Sequence, residues 1–296
     1  MESCSIENLI IDTDIGDGID DSFGIVGAQL STGLTIRAVV TCWGNVVKRA
    51  RLARMLLDSC GGSEIPVFAG EGRSMSSNQE IKTSFDSGHG VLNPSTEIDS
   101  RPGVKFMLDS VLTNPQQLSI VAIGPLTNIA CCIQADPAFS SNLKQLIVMG
   151  GRLPQSMHLE ERNFDDDPVA TEIVLNSSAD LLIVPFEPSS TVLIGDRELH
   201  KLQSSDTKCC RLLAVMLRQY LAVRHRKNTP LFDLATIGCL DSPELARIER
   251  SHLSMTKMGD RVRLVEGRQL TARLTTQFDG ARYMTTFMDR VLDYNL

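Results

Sequence analysis

The fold is decided by residues 9–21, which read Leu9-Ile10-Ile11-Asp12-Thr13-Asp14-Ile15-Gly16-Asp17-Gly18-Ile19-Asp20-Asp21. An apolar run that ends in two alternating aspartates predicts a buried strand with carboxylates at its C-terminal end. A glycine-spaced turn follows, and the apolar positions after Asp21 then have the spacing of a helix. The stretch therefore predicts a strand, an acidic turn and a helix in direct succession.

The turn carries five aspartates within residues 12–21, and no lysine or arginine precedes Arg37. Negative charge at this density is unfavourable unless a cation neutralises it. Carboxylate oxygens suit Ca²⁺ or Mg²⁺ better than zinc. Asp20 and Asp21 alone have a simpler explanation, because the helix dipole favours acidic side chains in a first turn. That explanation does not cover Asp12 and Asp14, so we expect a metal or catalytic role for the turn.

At 296 residues the chain could hold one large α/β domain or two small ones. Its 42% hydrophobic content is ordinary for a globular enzyme, and its formal net charge is -7. The negative charge and the 5% aromatic content argue against a nucleic-acid partner. No stretch approaches the length of a membrane span, and no secretory signal precedes Cys4. The eight cysteines form no CxxC pair, so we expect reduced thiols and a cytoplasmic protein.

Strand-like and helix-like segments alternate for the first two-thirds of the chain, and the sequence has no repeat or linker, so we expect a single domain over residues 1–296. This alternation predicts an α/β fold, with an open, mostly parallel sheet and helices on both faces. The segment from Gly70 to Pro102 has little periodicity and is expected to be a functional loop, such as a lid. The expected strands are 35–42, 65–69, 118–123, 143–149 and 181–185, and the expected helices are 46–57, 104–112 and 212–223, with two more that begin near 127 and at 167–168.

Parallel sheets bind ligands at the carboxyl ends of their strands, where the acidic turn would lie. Two alternatives start from the same residues. A dinucleotide-binding loop is excluded, because Asp21 holds the third glycine position and the carboxylates would repel pyrophosphate. A phosphatase of the haloacid dehalogenase type would need a downstream lysine and a Thr or Ser motif, and we cannot place either.

Four segments together resemble the inosine-uridine-preferring nucleoside hydrolase family, over roughly residues 6–240. The first is the acidic turn, in the longer form that has extra residues before the paired aspartates. The others follow in the family's order and spacing. They are Trp43-Gly44-Asn45-Val46, then Ala122-Ile123-Gly124-Pro125-Leu126-Thr127-Asn128, and then Met149-Gly150-Gly151 with Glu161-Arg162-Asn163 and Asp167-Pro168 behind it.

The resemblance implies Ca²⁺-dependent hydrolysis of the N-glycosidic bond of a small nucleoside, which releases ribose and a free base. By position, the Ca²⁺ ligands would be Asp14, Asp21, the backbone carbonyl of Ile123 and Asp233. Asp14 would also be the general base, and Asp12 would orient its neighbours. The family is usually oligomeric, so the resemblance implies a homodimer or homotetramer. The expected substrate contacts are Asp20, Asn45, Gln155, Glu161 and Asn163 on ribose, with His89 and His225 as candidates near the base.

Three positions depart from the family pattern. Phe232 stands where many members have a histidine that protonates the leaving base, so protonation must come from elsewhere or the base must be held by stacking. This slightly favours purines. Gln155 replaces a common asparagine, and Arg162 replaces an aromatic or apolar residue. The alternative is a metal- and ribose-binding member of the family that has lost turnover.

Overall fold

A computed structural model describes residues 6–77, 96–156, 161–258 and 261–294. The strands in these ranges are β1 (Glu7–Thr13), β2 (Leu34–Thr41), β3 (Val67–Ala69), β4 (Ser119–Ala122), β5 (Gln145–Met149), β6 (Leu181–Val184), β7 (Leu193–Gly195), β8 (Asn228–Pro230), β9 (Ala246–Met258), β10 (Arg261–Glu266) and β11 (Leu270–Phe278). The helices are α1 (Asp20–Gln29), α2 (Val46–Ser59), α3 (Gly103–Thr113), α4 (Thr127–Ala135), α5 (Ala138–Asn142), α6 (Arg162–Asp166), α7 (Pro168–Leu175), α8 (Phe186–Ser189), α9 (Asp196–Gln203), α10 (Lys208–Val223), α11 (Phe232–Asp241) and α12 (Gly280–Asp293).

Within these ranges, nine strands form one sheet in the order β10-β9-β11-β6-β5-β4-β1-β2-β3. The strands from β3 to β6 pair in parallel, and β11 pairs in parallel with β6. β9 pairs antiparallel with both of its neighbours in this sheet, β10 and β11. The predicted α/β fold with a mostly parallel sheet is confirmed.

Alternation along β1 divides the core between the two faces of the sheet. Leu9 and Ile11 pack with the apolar sides of α1, α2, α10, α11 and α12. Ile10 points to the other face, where α3, α4, α5 and α7 supply the packing. Since all three side chains are fully buried, the strand is covered on both sides, as expected for a central parallel strand. No helix in the described ranges is long and apolar enough to cross a membrane.

The predicted elements appear within a few residues of their expected bounds. The expected strand at 65–69 begins only at Val67, because Pro66 has no N–H for the ladder and contributes its carbonyl to Val39 N instead. Asp167 accepts a hydrogen bond from Ala170 N at 3.3 Å and so caps α7, whose first residue is the predicted Pro168. Sequence periodicity therefore placed the layers of the fold correctly.

The position of β1 in the sheet creates the site. The chain leaves β1 towards β2 and β3 on one side, and it returns to β4 on the other side. Such a reversal opens a crevice at the carboxyl ends of the two central strands. Asp12 stands opposite Ala122 of β4 and Val40 of β2, so the acidic turn begins at this crevice.

Candidate active site

Three carboxylates meet beside the end of β1. Asp20 and Asp21 open α1 and Asp233 opens α11, and one oxygen from each lies within 4.8 Å of the others. The two helices approach closely because Gly24 has no side chain: a Cβ there would lie 3.2 Å from the Asp233 Cβ. Asp21 and Asp233 were predicted metal ligands, whereas Asp20 was predicted to contact ribose. The structure places the Asp20 carboxylate with the other two.

Asp14 stands in the turn immediately after β1 and is half-buried. A Cβ on Gly124 would lie 2.9 Å from Asp14 Oδ1 and 2.8 Å from its backbone nitrogen, so only glycine fits beside this carboxylate. Gly124 follows Ile123, whose carbonyl was the remaining predicted metal ligand. The acidic turn and the end of β4 are thus in contact. The 4.8 Å group found among the described carboxylates does not include Asp14.

The turn is held internally by Thr13. Its hydroxyl donates a hydrogen bond to Asp21 Oδ1 at 2.5 Å and accepts one from Ile15 N at 3.1 Å. Thr13 therefore links the last residue of β1 to the first turn of α1, and it fixes how far the two ends of the acidic turn can separate.

Asn163 and Glu161 bind backbone groups around the crevice. Asn163 Nδ2 donates to the carbonyl oxygens of Ile123 and Met149, both at 3.1 Å. The Glu161 carboxylate caps α6, and it accepts hydrogen bonds from the backbone nitrogens of Asn163 at 2.7 Å, Gly151 at 2.9 Å and Phe164 at 3.1 Å. Both side chains are buried. These hydrogen bonds give both side chains a structural role that the sequence did not reveal, and their contact with ribose stays a prediction.

Asn45 is exposed and caps α2, where its side chain accepts a hydrogen bond from Lys48 N at 3.1 Å. Trp43 and Gly44, just before it, both have positive φ values, 67° and 70°. This left-handed pair turns the chain sharply after β2. The Trp43 side chain is buried, as expected for a residue that packs beside the crevice.

The remaining predicted residues do not belong to the 4.8 Å group of carboxylates, and one of them lies outside the described ranges. Gln155 is exposed and lines a groove along the β9–β11 extension, together with Pro154 and His252. His225 is exposed with a φ of 51°, in the turn that ends α10. His89 lies outside the described residues. Phe232 is half-buried, and its ring packs against Phe186 with 4.9 Å between ring centroids.

Sequence reasoning missed Asn128 as a structural member of the site. Its Nδ2 donates to Asp12 Oδ1 at 2.6 Å and to the Thr41 carbonyl at 3.2 Å, and its Oδ1 accepts from Glu71 N at 2.7 Å. Asn128 therefore joins β1, β2 and the loop after β3. Its neighbour Thr127 donates to Asp167 Oδ2 at 2.7 Å. The motif from Ala122 to Asn128 was the sequence signal that could have identified both residues.

Arg49 was also missed. It is fully buried on α2, although the residues around it on that helix face are apolar. Its guanidinium forms an ion pair with Asp17 at 2.7 Å and donates to the backbone carbonyls of the acidic turn. A charged residue in an apolar helical stripe was the sequence signal for this contact.

Burial changes the acidity of the site. Burial raises the pKa of Asp14 to about 7, although the positive charge of Arg49 acts to lower it. Burial also raises the pKa of Asp20 to about 6. The pKa values of Asp21 and Asp233 are raised well above the ordinary range by burial, and then by repulsion from neighbouring carboxylates. Such a cluster is stable only when it takes up protons or a cation. Because all of its side-chain donors are oxygens, the group could hold a hard metal ion.

The comparisons with known proteins agree with this geometry. The family described as inosine-uridine preferring nucleoside hydrolase matches residues 9–285. A probable uridine nucleosidase of Oryza sativa subsp. japonica is 31% identical over 225 residues, which cover 72% of this chain and 69% of that protein. A probable uridine nucleosidase of Arabidopsis thaliana is 27% identical over an alignment that covers 97% of this chain and 98% of that protein.

Solved structures show the same fold. A plant nucleoside hydrolase superposes with a TM-score of 0.82 at 24% identity, over 97% of this chain and 99% of that one. A purine-preferring ribonucleoside hydrolase from Gardnerella vaginalis superposes with a TM-score of 0.82 at 21% identity, over 96% and 98% of the two chains. The family match spans nearly the whole sequence and includes the acidic turn, Ile123 and Asp233. The chain therefore belongs to the inosine-uridine preferring nucleoside hydrolase family and is a hydrolase of nucleosides.

Proposed function

We propose that this protein hydrolyses the N-glycosidic bond of ribonucleosides in a Ca²⁺-dependent reaction and releases ribose and a free base. The observation that carries the proposal is the convergence of Asp20, Asp21 and Asp233 within 4.8 Å at the strand reversal, next to the Asp14 turn. Family membership supplies the reaction class, and the oxygen-only donor set supports the choice of Ca²⁺.

Asp21 and Asp233 would hold the ion together with Asp14 and the Ile123 carbonyl, and the neighbouring Asp20 carboxylate would bind ribose hydroxyls. Asn163 supports this arrangement, because its hydrogen bonds fix the Ile123 and Met149 carbonyls. When bound, the ion supplies Lewis acidity that makes a water molecule a stronger nucleophile.

In the proposed reaction, Asp14 accepts the proton of the attacking water. The water oxygen bonds to the anomeric carbon while the bond to the base nitrogen breaks, and positive charge develops on ribose. The base nitrogen keeps the electron pair of the broken bond and takes a proton from solvent. The surrounding carboxylates stabilise this charge more strongly than the neutral substrate, which is the requirement for catalysis.

The leaving base would meet aromatic side chains instead of a histidine. Phe232 adjoins Asp233 in the chain and packs against the ring of Phe186. This half-buried pair offers an apolar face on which a base can stack. Since a purine covers more of such a face than a pyrimidine does, we propose a preference for purine nucleosides.

The test is ribose release from inosine, adenosine, guanosine, uridine and cytidine, with Ca²⁺ and with a chelator. We expect release that the chelator abolishes and that Ca²⁺ restores, with faster turnover of purine nucleosides. Faster turnover of uridine would refute the purine preference alone. No release from any of the five, in protein that binds Ca²⁺, would refute the hydrolase and favour the metal- and ribose-binding alternative.

A further inference from the structure

A buried guanidinium connects two loops of the site, the acidic turn after β1 and the turn after β2. Arg49 lies near the start of α2, and its side chain is fully buried. It donates from Nε to the Trp43 carbonyl at 2.6 Å, from Nη1 to the Ile15 carbonyl at 2.9 Å and from Nη1 to the Asp14 carbonyl. Nη2 forms the ion pair with Asp17 at 2.7 Å. One side chain therefore contacts four different residues.

Two of the three carbonyls belong to the turn that carries the proposed general base. The carbonyls of Asp14 and Ile15 accept hydrogen bonds from Arg49, and this fixes the two peptide planes that meet at the Ile15 Cα. Gly16, with a φ of 120°, and the residues after it then return the chain so that the Asp17 carboxylate reaches the same guanidinium. The extra residues before Asp20 and Asp21 thus supply the counter-ion that a buried arginine requires.

The third carbonyl belongs to the other loop. Trp43 has a φ of 67°, an unfavourable conformation for a bulky residue, and it persists only where the surroundings determine it. The hydrogen bond from Arg49 Nε to the Trp43 carbonyl is one such determinant. Asn45, which the family resemblance predicts to contact ribose, follows two residues later and caps the helix that carries Arg49.

We propose that Arg49, paired with Asp17, is the positioning residue that holds the Asp14 turn and the Trp43–Asn45 turn in one fixed arrangement. This inference rests on the proposed function, which makes Asp14 the general base, and on the prediction that Asn45 contacts ribose. Arg49 acts through backbone carbonyls and touches no reacting atom. Its fork of donors matters as much as its charge, because lysine has a single nitrogen and cannot serve all four partners.

The test compares Arg49→Lys with Arg54→Lys on the same helix. Arg54 is the matched control because it also pairs with an aspartate, Asp58 at 2.8 Å, and donates to the carbonyls of Gly62 at 2.5 Å and Ile65. For Arg49→Lys we expect Ca²⁺ binding, measured by titration calorimetry, to weaken about 10- to 100-fold, with a similar loss in kcat. Arg54→Lys should leave both within about twofold, because its contacts are confined to α2 and the loop after it.

Equal Ca²⁺ affinity and kcat in the two variants would overturn the proposal. If Arg49→Lys does not fold, Asp17→Asn replaces it, and the loss of one charged acceptor should weaken Ca²⁺ binding about fivefold. If the wild type releases no ribose, the proposed function fails but this inference is still tested by amide hydrogen exchange of residues 13–19 in metal-free protein. That exchange should be about tenfold faster in Arg49→Lys than in Arg54→Lys, and equal rates would refute the positioning role.

Discussion

Replacing Asn128 by alanine tests the network beneath the site. Asn128 is fully buried and makes three hydrogen bonds, to Asp12 Oδ1, the Thr41 carbonyl and Glu71 N. Among the described residues Asp12 Oδ2 has no hydrogen-bond partner, so the variant would leave the whole Asp12 carboxylate without one. At about 1 kcal/mol for each hydrogen bond, and more for a buried group left unpaired, the free energy of unfolding should fall by about 3–5 kcal/mol.

The assay is urea unfolding followed by circular dichroism, with Asn114→Ala as the control. Asn114 is an exposed asparagine at the end of α3, and its side chain donates to the Ser110 carbonyl at 2.9 Å. Losing this exposed hydrogen bond should cost less than about 1 kcal/mol. If Asn128→Ala is no less stable than Asn114→Ala, the network does not have the role that its geometry indicates.

Three further predictions concern catalysis, pH and the base. Asp14→Ala should lower kcat by about 10²–10⁴-fold with little change in melting temperature, because Asp14 is half-buried at a strand end; a near-normal kcat would exclude Asp14 as the base. In chelator, the melting temperature should fall as pH rises from 5 to 8. Burial raises the pKa of Asp12 and Glu161 to about 7, so the folded state binds more protons than the unfolded state until the pH passes that value. A melting temperature that rises over this range would contradict the raised pKa values. Phe232→Leu removes part of the proposed stacking face, so initial-rate kinetics should show KM rising about tenfold for inosine and less for uridine. Equal changes in KM for both nucleosides would exclude stacking on Phe232.

Sequence patterns were sufficient for the layers of the fold and for the place of the site. The apolar run of β1 is buried on both faces, and its alternation assigns Ile10 and Ile11 to opposite sides of the sheet. The acidic turn follows at the strand reversal, where parallel sheets bind ligands. These features repeat over short distances in the chain, so a periodic pattern can reveal them.

Contacts between distant residues could not be predicted in this way. Asp233 joins Asp20 and Asp21 only because α1 and α11 pack closely at Gly24. Asn128 donates a hydrogen bond to Asp12 although the two residues are 116 positions apart in the chain, and the local sequence around neither residue predicts that contact. The family resemblance identified Glu161 as a site residue but did not predict its three backbone hydrogen bonds. These depend on how the fold places Gly151 and α6 beside its carboxylate.

We propose above all that Asp21 and Asp233, which lie beside Asp20, hold a Ca²⁺ ion. Titration calorimetry of chelator-treated protein with Ca²⁺ tests it most directly, with wild type and Asp233→Asn measured side by side. We expect one ion per chain in the wild type, and binding at least about 100-fold weaker in the variant because a buried charged ligand is lost. Equal affinity in both proteins, or no Ca²⁺ binding by the wild type, would contradict the account.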